Sequence, residues 1–208
     1  VGNFVVIYSA VGADEETIPT DNTQYNIAET SIIKIPNQEP KKLGYTFEGW
    51  KTGTDDTVYK YGTQNDTYTV PNDISGAITF IAQWSINEYK ITYELNGGIN
   101  AENAPVSYTI ETDTITLPVP TKDGYNFEGW YTDAAFENAV AAIAKGSVGD
   151  MVLYAKWSEK DMAVYKINSY EKGNVSVRKR TDTDDSSSVV IVAFYKTLNN
   201  NSVLIKTS

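Results

Sequence analysis

The sequence predicts a mainly β chain, α+β at most, built from two tandem copies of one unit and a smaller C-terminal β domain. The first observation is a phrase that occurs twice, as GYTFEGW at 44–50 and as GYNFEGW at 124–130. The second is a series of short segments rich in β-branched and aromatic residues, which are typical of strands. The third is a set of glycine-containing turns between those segments. A catalytic motif is rarely duplicated so faithfully within 208 residues, whereas a structural repeat is expected to recur.

The duplication extends well beyond this phrase, because four blocks recur in the same order. The paired blocks are FVVIY (4–8) with YKITY (89–93), YNIAETSIIKIP (25–36) with YTIETDTITLP (108–118), PKKLGYTFEGW (40–50) with PTKDGYNFEGW (120–130), and ITFIAQWS (78–85) with MVLYAKWS (151–158). Because the blocks agree both in their order and in their amino-acid sequence, they indicate an internal repeat. We therefore divide the chain into a first unit at 1–85, a second unit at 86–158 and a C-terminal domain at 159–208.

The repeated phrase has a physical interpretation as a turn followed by a bulged strand. Gly44 supplies the permissive backbone at the end of the turn. In a strand, Tyr45 and Phe47 point to the same face. Gly49 interrupts the alternation, as a bulge does, so that Trp50 turns toward that face too. The predicted structural signature comprises Gly44, Tyr45, Phe47, Gly49, Trp50, Trp84, Gly124, Tyr125, Phe127, Gly129, Trp130 and Trp157.

The four tryptophans are expected to lie in the cores of the two units. Burying one of them removes roughly 150–250 Å² of surface from water. At about 25 cal/mol/Å² this contributes up to roughly 4–6 kcal/mol, against a total domain stability of about 5–15 kcal/mol. Packing inside each unit is therefore favoured over a ligand platform.

One segment of the second unit allows two interpretations. DAAFENAVAAIAKG (133–146) has an Asp at a helix-capping position, an Ala-rich body and a terminal Gly, which are features of a helix. The first unit has no helix-forming pattern at the equivalent place. Whether this segment is helical therefore stays open.

Composition excludes several classes of function. The formal net charge is −10, with 27 acidic and 17 basic residues, so a nucleic-acid partner is not expected and self-repulsion favours a monomer. The chain has no cysteine and no histidine, which excludes disulfides, thiolate or imidazole metal ligands and the common catalytic triads. We expect no cofactor. The sequence contains no run of about 18 apolar residues, so no membrane span is predicted. Any export signal or anchor is expected to lie outside this sequence.

The second unit resembles the Listeria–Bacteroides repeat, the family of the internalin B repeat. That pattern runs from Asn-Gly-Gly, through Pro-x-x-x-Gly-Tyr-x-Phe-x-Gly-Trp-Tyr, to Leu-Tyr-Ala-x-Trp. The matching residues are Asn96, Gly97, Gly98, Pro120, Gly124, Tyr125, Phe127, Gly129, Trp130, Tyr131, Leu153, Tyr154, Ala155 and Trp157. The first unit departs from the pattern with SAVGA (9–13) for Asn-Gly-Gly, Lys51 for the Tyr after Trp, and FIAQW for the last block.

The resemblance implies two β-grasp-like, ubiquitin-like repeats in a secreted or wall-attached protein of the bacterial surface. Such repeats act as spacers or adhesion modules and share no catalytic residues. The implied function is therefore a non-enzymatic surface module, whose partner would be a protein or glycan of a host or neighbouring cell.

Residues outside the shared pattern suggest alternatives. Tyr59, Tyr61 and Tyr68 are the candidates for a glycan- or protein-binding surface, because flat rings stack on sugars and these three lie outside the repeated blocks. Catalysis would require facing carboxylates, for which Asp55 with Asp56 and Asp133 with Glu137 are candidates by number alone. An enzyme is the least favoured alternative.

The C-terminal domain is expected to contain four short strands, in AVYKINSY, NVSVRKR, SSVVIVAFYK and SVLIKTS. It has some likeness to a surface β-sandwich, although about fifty residues are few for a complete one. In TDTDDSSS (181–188), the carboxylates of Asp182, Asp184 and Asp185 could gather round Ca²⁺, but a solvated hairpin loop is preferred. Arg178, Lys179 and Arg180 form a short basic run that is typical of an exposed strand end.

Overall fold

The computed structural model describes residues 2–53, 56–160, 165–171, 174–179, 193–198 and 201–207, with side chains described up to residue 160. Within these ranges the only helical segment is a single 3₁₀ turn at Glu15–Thr17, which is too short to cross a membrane. The strands are β1 (Asn3–Ser9), β2 (Gln24–Asn26), β3 (Ile32–Lys34), β4 (Tyr45–Lys51), β5 (Thr67–Thr69), β6 (Gly76–Ile86), β7 (Tyr89–Glu94), β8 (Ser107–Tyr108), β9 (Ile115–Thr116), β10 (Tyr125–Tyr131), β11 (Ala139–Val140), β12 (Ala142–Ile143), β13 (Met151–Glu159), β14 (Tyr165–Glu171), β15 (Asn174–Lys179), β16 (Ala193–Leu198) and β17 (Asn201–Thr207). The predicted mainly β class is confirmed.

The chain divides into two compact units, Val1–Asp123 with Phe127–Trp157 and Gly124–Asn126 with Ser158–Ser208. The first of these contains most of both repeats. The second contains the strands of the C-terminal segment.

The first repeat is built on a four-stranded sheet of order β2-β1-β6-β4. Its central strands β1 and β6 run parallel, from Phe4 opposite Gly76 to Ser9 opposite Ile81. Both flanking strands are antiparallel to their neighbours. Strands β3 and β5 form a separate two-stranded sheet. In this small sheet Ile33 lies opposite Tyr68.

The second repeat follows the same plan, with the order β8-β7-β13-β10-β11. The central strands β7 and β13 are again parallel, from Ile91 opposite Met151 to Glu94 opposite Tyr154. A small β9–β12 sheet corresponds to the β3–β5 sheet of the first repeat. The agreement in strand order supports the duplication at the level of structure, while the β-grasp-like architecture stays a prediction.

The segment 133–146 forms strands β11 and β12, so the helix alternative is not realised. The Asp133 carboxylate accepts hydrogen bonds from the backbone N–H groups of Glu137 (3.1 Å) and Asn138 (2.8 Å), which closes a loop at the point where a helix would begin. The chain then pairs with β10 and β9, and Ile143 enters the core. These tertiary contacts override the intrinsic helix propensity of alanine.

Each repeat has its own hydrophobic core. The buried residues of the first core are Phe4, Val6, Ala10, Ile33, Ile35, Phe47, Trp50, Tyr68, Val70, Ile78, Phe80 and Ala82. Those of the second core are Ile91, Tyr108, Leu117, Trp130, Ile143, Leu153 and Ala155. Alternate residues of the central strands supply much of both sets, as expected for strands with one face turned inward.

The C-terminal segment contains two antiparallel hairpins, β14 with β15 and β16 with β17. Each of the four predicted segments contains a strand, although residues 187–192 of the third segment lie outside the described residues. The sandwich-like arrangement stays a prediction. Arg178 and Lys179 lie at the end of β15. The calcium candidates at 181–188 and Arg180 lie outside the described residues.

Candidate functional site

The repeated phrase places one aromatic cluster in each core. In the first repeat, the Phe47 ring meets Trp50 and Trp84 edge to face, with centroids 5.1 and 5.6 Å apart. In the second repeat, Phe127 meets Trp130 and Trp157 in the same way, at 5.4 Å in both cases. These are favourable geometries for aromatic pairs. The cluster therefore connects the β4 or β10 strand to the last strand of its own repeat.

The four tryptophans differ in burial. Trp50 and Trp130 are 1 % and 3 % exposed, as predicted. Trp84 and Trp157 are only half-buried, so the expectation that all four are buried is wrong for these two. Both lie near the C-terminal end of the last strand of their repeat.

A lysine ammonium group lies over each half-buried indole. The Nζ atoms of Lys42 and Lys122 are each 5.8 Å from the ring centroids of Trp84 and Trp157, respectively. Lys122 Nζ also donates a hydrogen bond to the Asn96 carbonyl oxygen at 2.8 Å. The exposed part of these rings is thus close to a cation of the same repeat, which competes with an external ligand for that position.

The glycine within the phrase forms the predicted bulge. The register of β4 against β6 shifts between Phe47 and Gly49, and Gly49 has φ of +139°. A Cβ atom on Gly49 would lie 2.5 Å from Val58 Cγ1 and 2.8 Å from the Tyr59 carbonyl oxygen. Gly129 has nearly the same backbone, with φ of +134°. Both positions therefore favour glycine for its backbone freedom.

The three tyrosines proposed for ligand binding do not form one exposed surface. Tyr68 is 3 % exposed and packs edge to face against Phe80, with centroids 5.4 Å apart. Tyr59 is half-buried, and its backbone exchanges two 2.8 Å hydrogen bonds with Trp50. Tyr61 is 48 % exposed. A binding role for these residues stays a prediction, for which Tyr61 alone offers substantial exposed area.

The candidate carboxylate pairs have structural contacts. Asp56 is exposed and lies 3.5 Å from Lys51 Nζ, and Asp55 is outside the described residues. Asp133 closes the loop before β11, where hydrogen bonds from the backbone of Glu137 and Asn138 lower the pKa of its carboxyl. Among the described residues, no group of three or more acidic, His or Cys side chains could hold a metal ion.

The two repeats meet at a joint that pairs the turn of the first repeat with a loop of the second. We use the term joint for Gly44, Tyr45 and Thr46 with the linker residue Asn87 and with the loop residues Ile110 and Glu111. The Tyr45 hydroxyl donates a hydrogen bond to the Glu111 carboxylate, which raises the pKa of Tyr45. A Cβ atom on Gly44 would lie 2.7 Å from Ile110 Cβ. Glycine is therefore required for the repeats to approach this closely.

The linker is fixed within the joint by further hydrogen bonds. The Asn87 N–H donates to the Gly44 carbonyl oxygen at 2.9 Å, and the Thr46 hydroxyl donates to Asn87 Oδ1 at 2.6 Å. One residue later, the Glu88 carboxylate accepts a 2.6 Å hydrogen bond from the Ser107 hydroxyl. A short linker that is bonded to both repeats restricts their relative motion.

Two stretches of the chain, residues 4–83 and 89–156, match the Listeria-Bacteroides repeat domain. The chain belongs to this family. The matches cover both repeats and end before the C-terminal hairpins, so the resemblance found in the repeated phrase is confirmed as a tandem pair.

Proteins from two organisms are similar to this chain. A Gly-rich membrane protein of Evansella cellulosilytica is 32 % identical over 177 residues, covering 81 % of this chain and 19 % of the relative. A membrane protein of the same organism is 34 % identical over 78 % of the chain and 23 % of its own length. Internalin H of Listeria monocytogenes is 33 % identical over 67 % of the chain and 24 % of its own length. The chain thus spans about a fifth to a quarter of the length of these curated relatives.

Proposed function

We propose that this Listeria-Bacteroides repeat pair is a non-enzymatic spacer within a bacterial surface protein, holding neighbouring parts of that protein at a fixed separation. The joint carries this proposal. It contains a glycine that is in close contact with the next repeat, a phenol–carboxylate hydrogen bond and a linker hydrogen-bonded at consecutive residues. Each of these contacts restrains the orientation of one repeat relative to the other.

Two further observations support a structural role. Phe47 and Trp50 of the repeated phrase lie in the first core, and Phe127 and Trp130 lie in or against the second core, so these duplicated residues stabilise the repeat itself. The similar proteins include internalin H and membrane proteins, which supports an extracellular surface location for the longer protein that would contain this pair.

The distance between the two repeats provides a direct test. The sequence has no cysteine, so Lys34→Cys and Thr116→Cys create the only attachment sites for nitroxide labels. Both positions are exposed and lie on strands, one in each repeat. Pulsed electron–electron double resonance on the full chain should give a narrow distance distribution. A distribution as broad as that of two freely tethered bodies would contradict the spacer proposal.

A matched pair of glycine substitutions separates the joint from general strain. Gly44 and Gly124 have φ of +77° and +75°, so alanine costs similar backbone energy at both positions. A Cβ at Gly44 meets Ile110, whereas a Cβ at Gly124 meets no described atom within 4 Å. Gly44→Ala should shift or broaden the distance distribution, and Gly124→Ala should leave it unchanged. An equal response to the two substitutions would show that Gly44 has no special role in the joint.

A second candidate function is adhesion to a glycan or protein of a host or neighbouring cell. The exposure of Tyr61 favours it, because this ring has an accessible face outside both cores. Saturable binding to a glycan array that is lost in Tyr61→Ala would support adhesion. Binding that is unaffected by this substitution would exclude the tyrosine surface.

A further inference from the structure

In the second repeat, the loop at residues 109–112 receives Gly44 and Tyr45 of the first repeat. The first repeat has its own copy of this loop. We propose that this loop, residues 26–30, is a docking site for the Gly-Tyr turn of another Listeria-Bacteroides repeat. The inference builds on the joint that supports the spacer function, and it identifies the partner as a further repeat of the same kind.

The two loops occupy equivalent places in their repeats. Loop 26–30 follows Tyr25, which pairs with Phe4 on the first strand of its repeat. Loop 109–112 follows Tyr108, which pairs in the same way with Tyr89. The two ring pairs lie at similar centroid distances, 5.3 Å and 5.6 Å. Each loop therefore leaves the sheet edge from the same register position.

The loops also share their internal hydrogen bonds. The Asn26 side chain accepts a bond from the Ala28 N–H at 3.0 Å, and its carbonyl accepts one from the Thr30 N–H at 2.9 Å. The Thr109 hydroxyl accepts from the Glu111 N–H at 3.3 Å, and its carbonyl accepts from the Thr112 N–H at 3.1 Å. These are local turns closed by a side-chain oxygen. Loop 26–30 keeps this closure despite one additional residue, the exposed Ala28.

The chemistry needed to receive a Gly-Tyr turn is present on loop 26–30. Ile27 is half-buried and packs against the first core, while its counterpart Ile110 is half-buried beside Gly44. Glu29 is exposed, as is Glu111. The Glu111 carboxylate accepts a hydrogen bond from the Tyr45 hydroxyl. The Glu29 carboxylate has no hydrogen bond or ion pair with the part of the chain that the structure describes. The apolar side chain can pack against the glycine of a Gly-Tyr turn, and the carboxylate beside it can accept a hydrogen bond from the tyrosine hydroxyl.

The other half of the joint also recurs, at the C-terminal end of each repeat. The Asn87 N–H donates to the Gly44 carbonyl at 2.9 Å, and the Lys160 N–H donates to the Gly124 carbonyl at 2.9 Å. The backbone that leaves a repeat is therefore bonded to the Gly-Tyr turn in both copies. One repeat carries a receiving loop near its first strand and an inserting turn near its last strand, which is the arrangement of a heterologous, head-to-tail contact.

The inference is tested in the full chain by duplicating its first repeat. A second copy of residues 4–88 inserted after Glu88 places Phe4 where Tyr89 normally follows the linker. The Gly-Tyr turn of the first copy then faces loop 26–30 of the second copy. Nitroxides at Lys34 of both copies report the new joint. In a separate sample, nitroxides at Lys34 of the second copy and at Thr116 report the native joint.

The inference predicts that the two joints give distance distributions of comparable width. Gly44→Ala in the first copy should broaden or shift only the new joint, and Glu29→Gln in the second copy should do so without affecting the core, because that side chain is exposed. A broad new joint beside a narrow native joint would overturn this inference and leave the spacer function standing. Broad distributions at both joints would overturn both proposals. A narrow new joint that neither substitution changes would show that loop 26–30 is not the docking site.

Discussion

Alanine at the two bulge glycines should have unequal costs, although the backbone conformations are alike. Gly49 and Gly129 have φ of +139° and +134°, so both substitutions carry the same conformational penalty of about 1–3 kcal/mol. The surroundings differ. A Cβ at Gly49 would meet Val58 Cγ1 at 2.5 Å and the Tyr59 carbonyl at 2.8 Å, whereas the closest described atom at Gly129 is Tyr131 Cε2 at 3.8 Å.

The additional cost at Gly49 comes from displacing a carbonyl that is already engaged. The Tyr59 carbonyl accepts a 2.8 Å hydrogen bond from the Trp50 N–H, so it cannot move away without weakening that bond. Overpacking of this kind typically costs about 1–3 kcal/mol. We therefore expect Gly49→Ala to destabilise the first repeat by about 2–6 kcal/mol and Gly129→Ala to destabilise the second by about 1–3 kcal/mol.

Native-state hydrogen exchange read by mass spectrometry measures the two repeats separately in one chain. Relative to the parent, the extra 1–3 kcal/mol corresponds to about a 5- to 150-fold larger loss of protection in β4 peptides than in β10 peptides. Equal losses in the two repeats would refute the argument from the Tyr59 carbonyl. A larger loss at Gly129 would refute it more strongly.

Three other experiments, on five substitutions, have expected outcomes. Trp50→Ala should lower the free energy of unfolding by about 3–5 kcal/mol, because the ring is fully buried. Trp84→Ala should lower it by less, because that ring is half-buried. Urea unfolding measures both values, and equal losses would contradict the burial argument. Tyr68→Ala should lower the unfolding temperature, and Tyr61→Ala should leave it unchanged, as measured by calorimetry. The reverse result would contradict the placement of Tyr68 in the core and of Tyr61 on the surface. Asp133→Asn should destabilise the chain above about pH 4, and the stability of the variant should converge with that of the parent in more acidic solution. The backbone hydrogen bonds of the loop lower the Asp133 pKa from 3.8. Their contribution to stability is therefore lost as the pH falls through that lowered value. A constant difference across this pH range, measured by urea unfolding, would argue against that role.

The parts of the fold that depend on local conformation were predictable from the sequence. The turn at Gly44 and the bulge at Gly49 need positive φ, and few residues other than glycine adopt it readily. The inward positions of Phe47 and Trp50 followed from the alternation along a strand and from the bulge at Gly49. Tyr45 instead contacts the second repeat through Glu111. Because these constraints act within a few residues, the repeated phrase contains most of the information about its own conformation.

The parts that depend on distant contacts were not predictable. Ile110 and Glu111 belong to the joint only because another repeat is adjacent to them, and no property of their own segment indicates this. Segment 133–146 has the local composition of a helix, but pairing with neighbouring strands determines its structure. Tyr68 and Tyr61 have the same side chain, and only the orientation of β5 places the former in the core.

The parallel pairing of the first and last strands determines how a repeat responds to mechanical force. When the chain is stretched, β1 is pulled toward its N-terminal end and β6 toward its C-terminal end. Because the two strands are adjacent and parallel, the load acts along them, in shear. The six residue pairs between Phe4 and Ser9 on one strand and Gly76 and Ile81 on the other then share the tension and must give way together. A segment built in this way withstands drag in flowing liquid better than one whose end strands unzip one pair at a time.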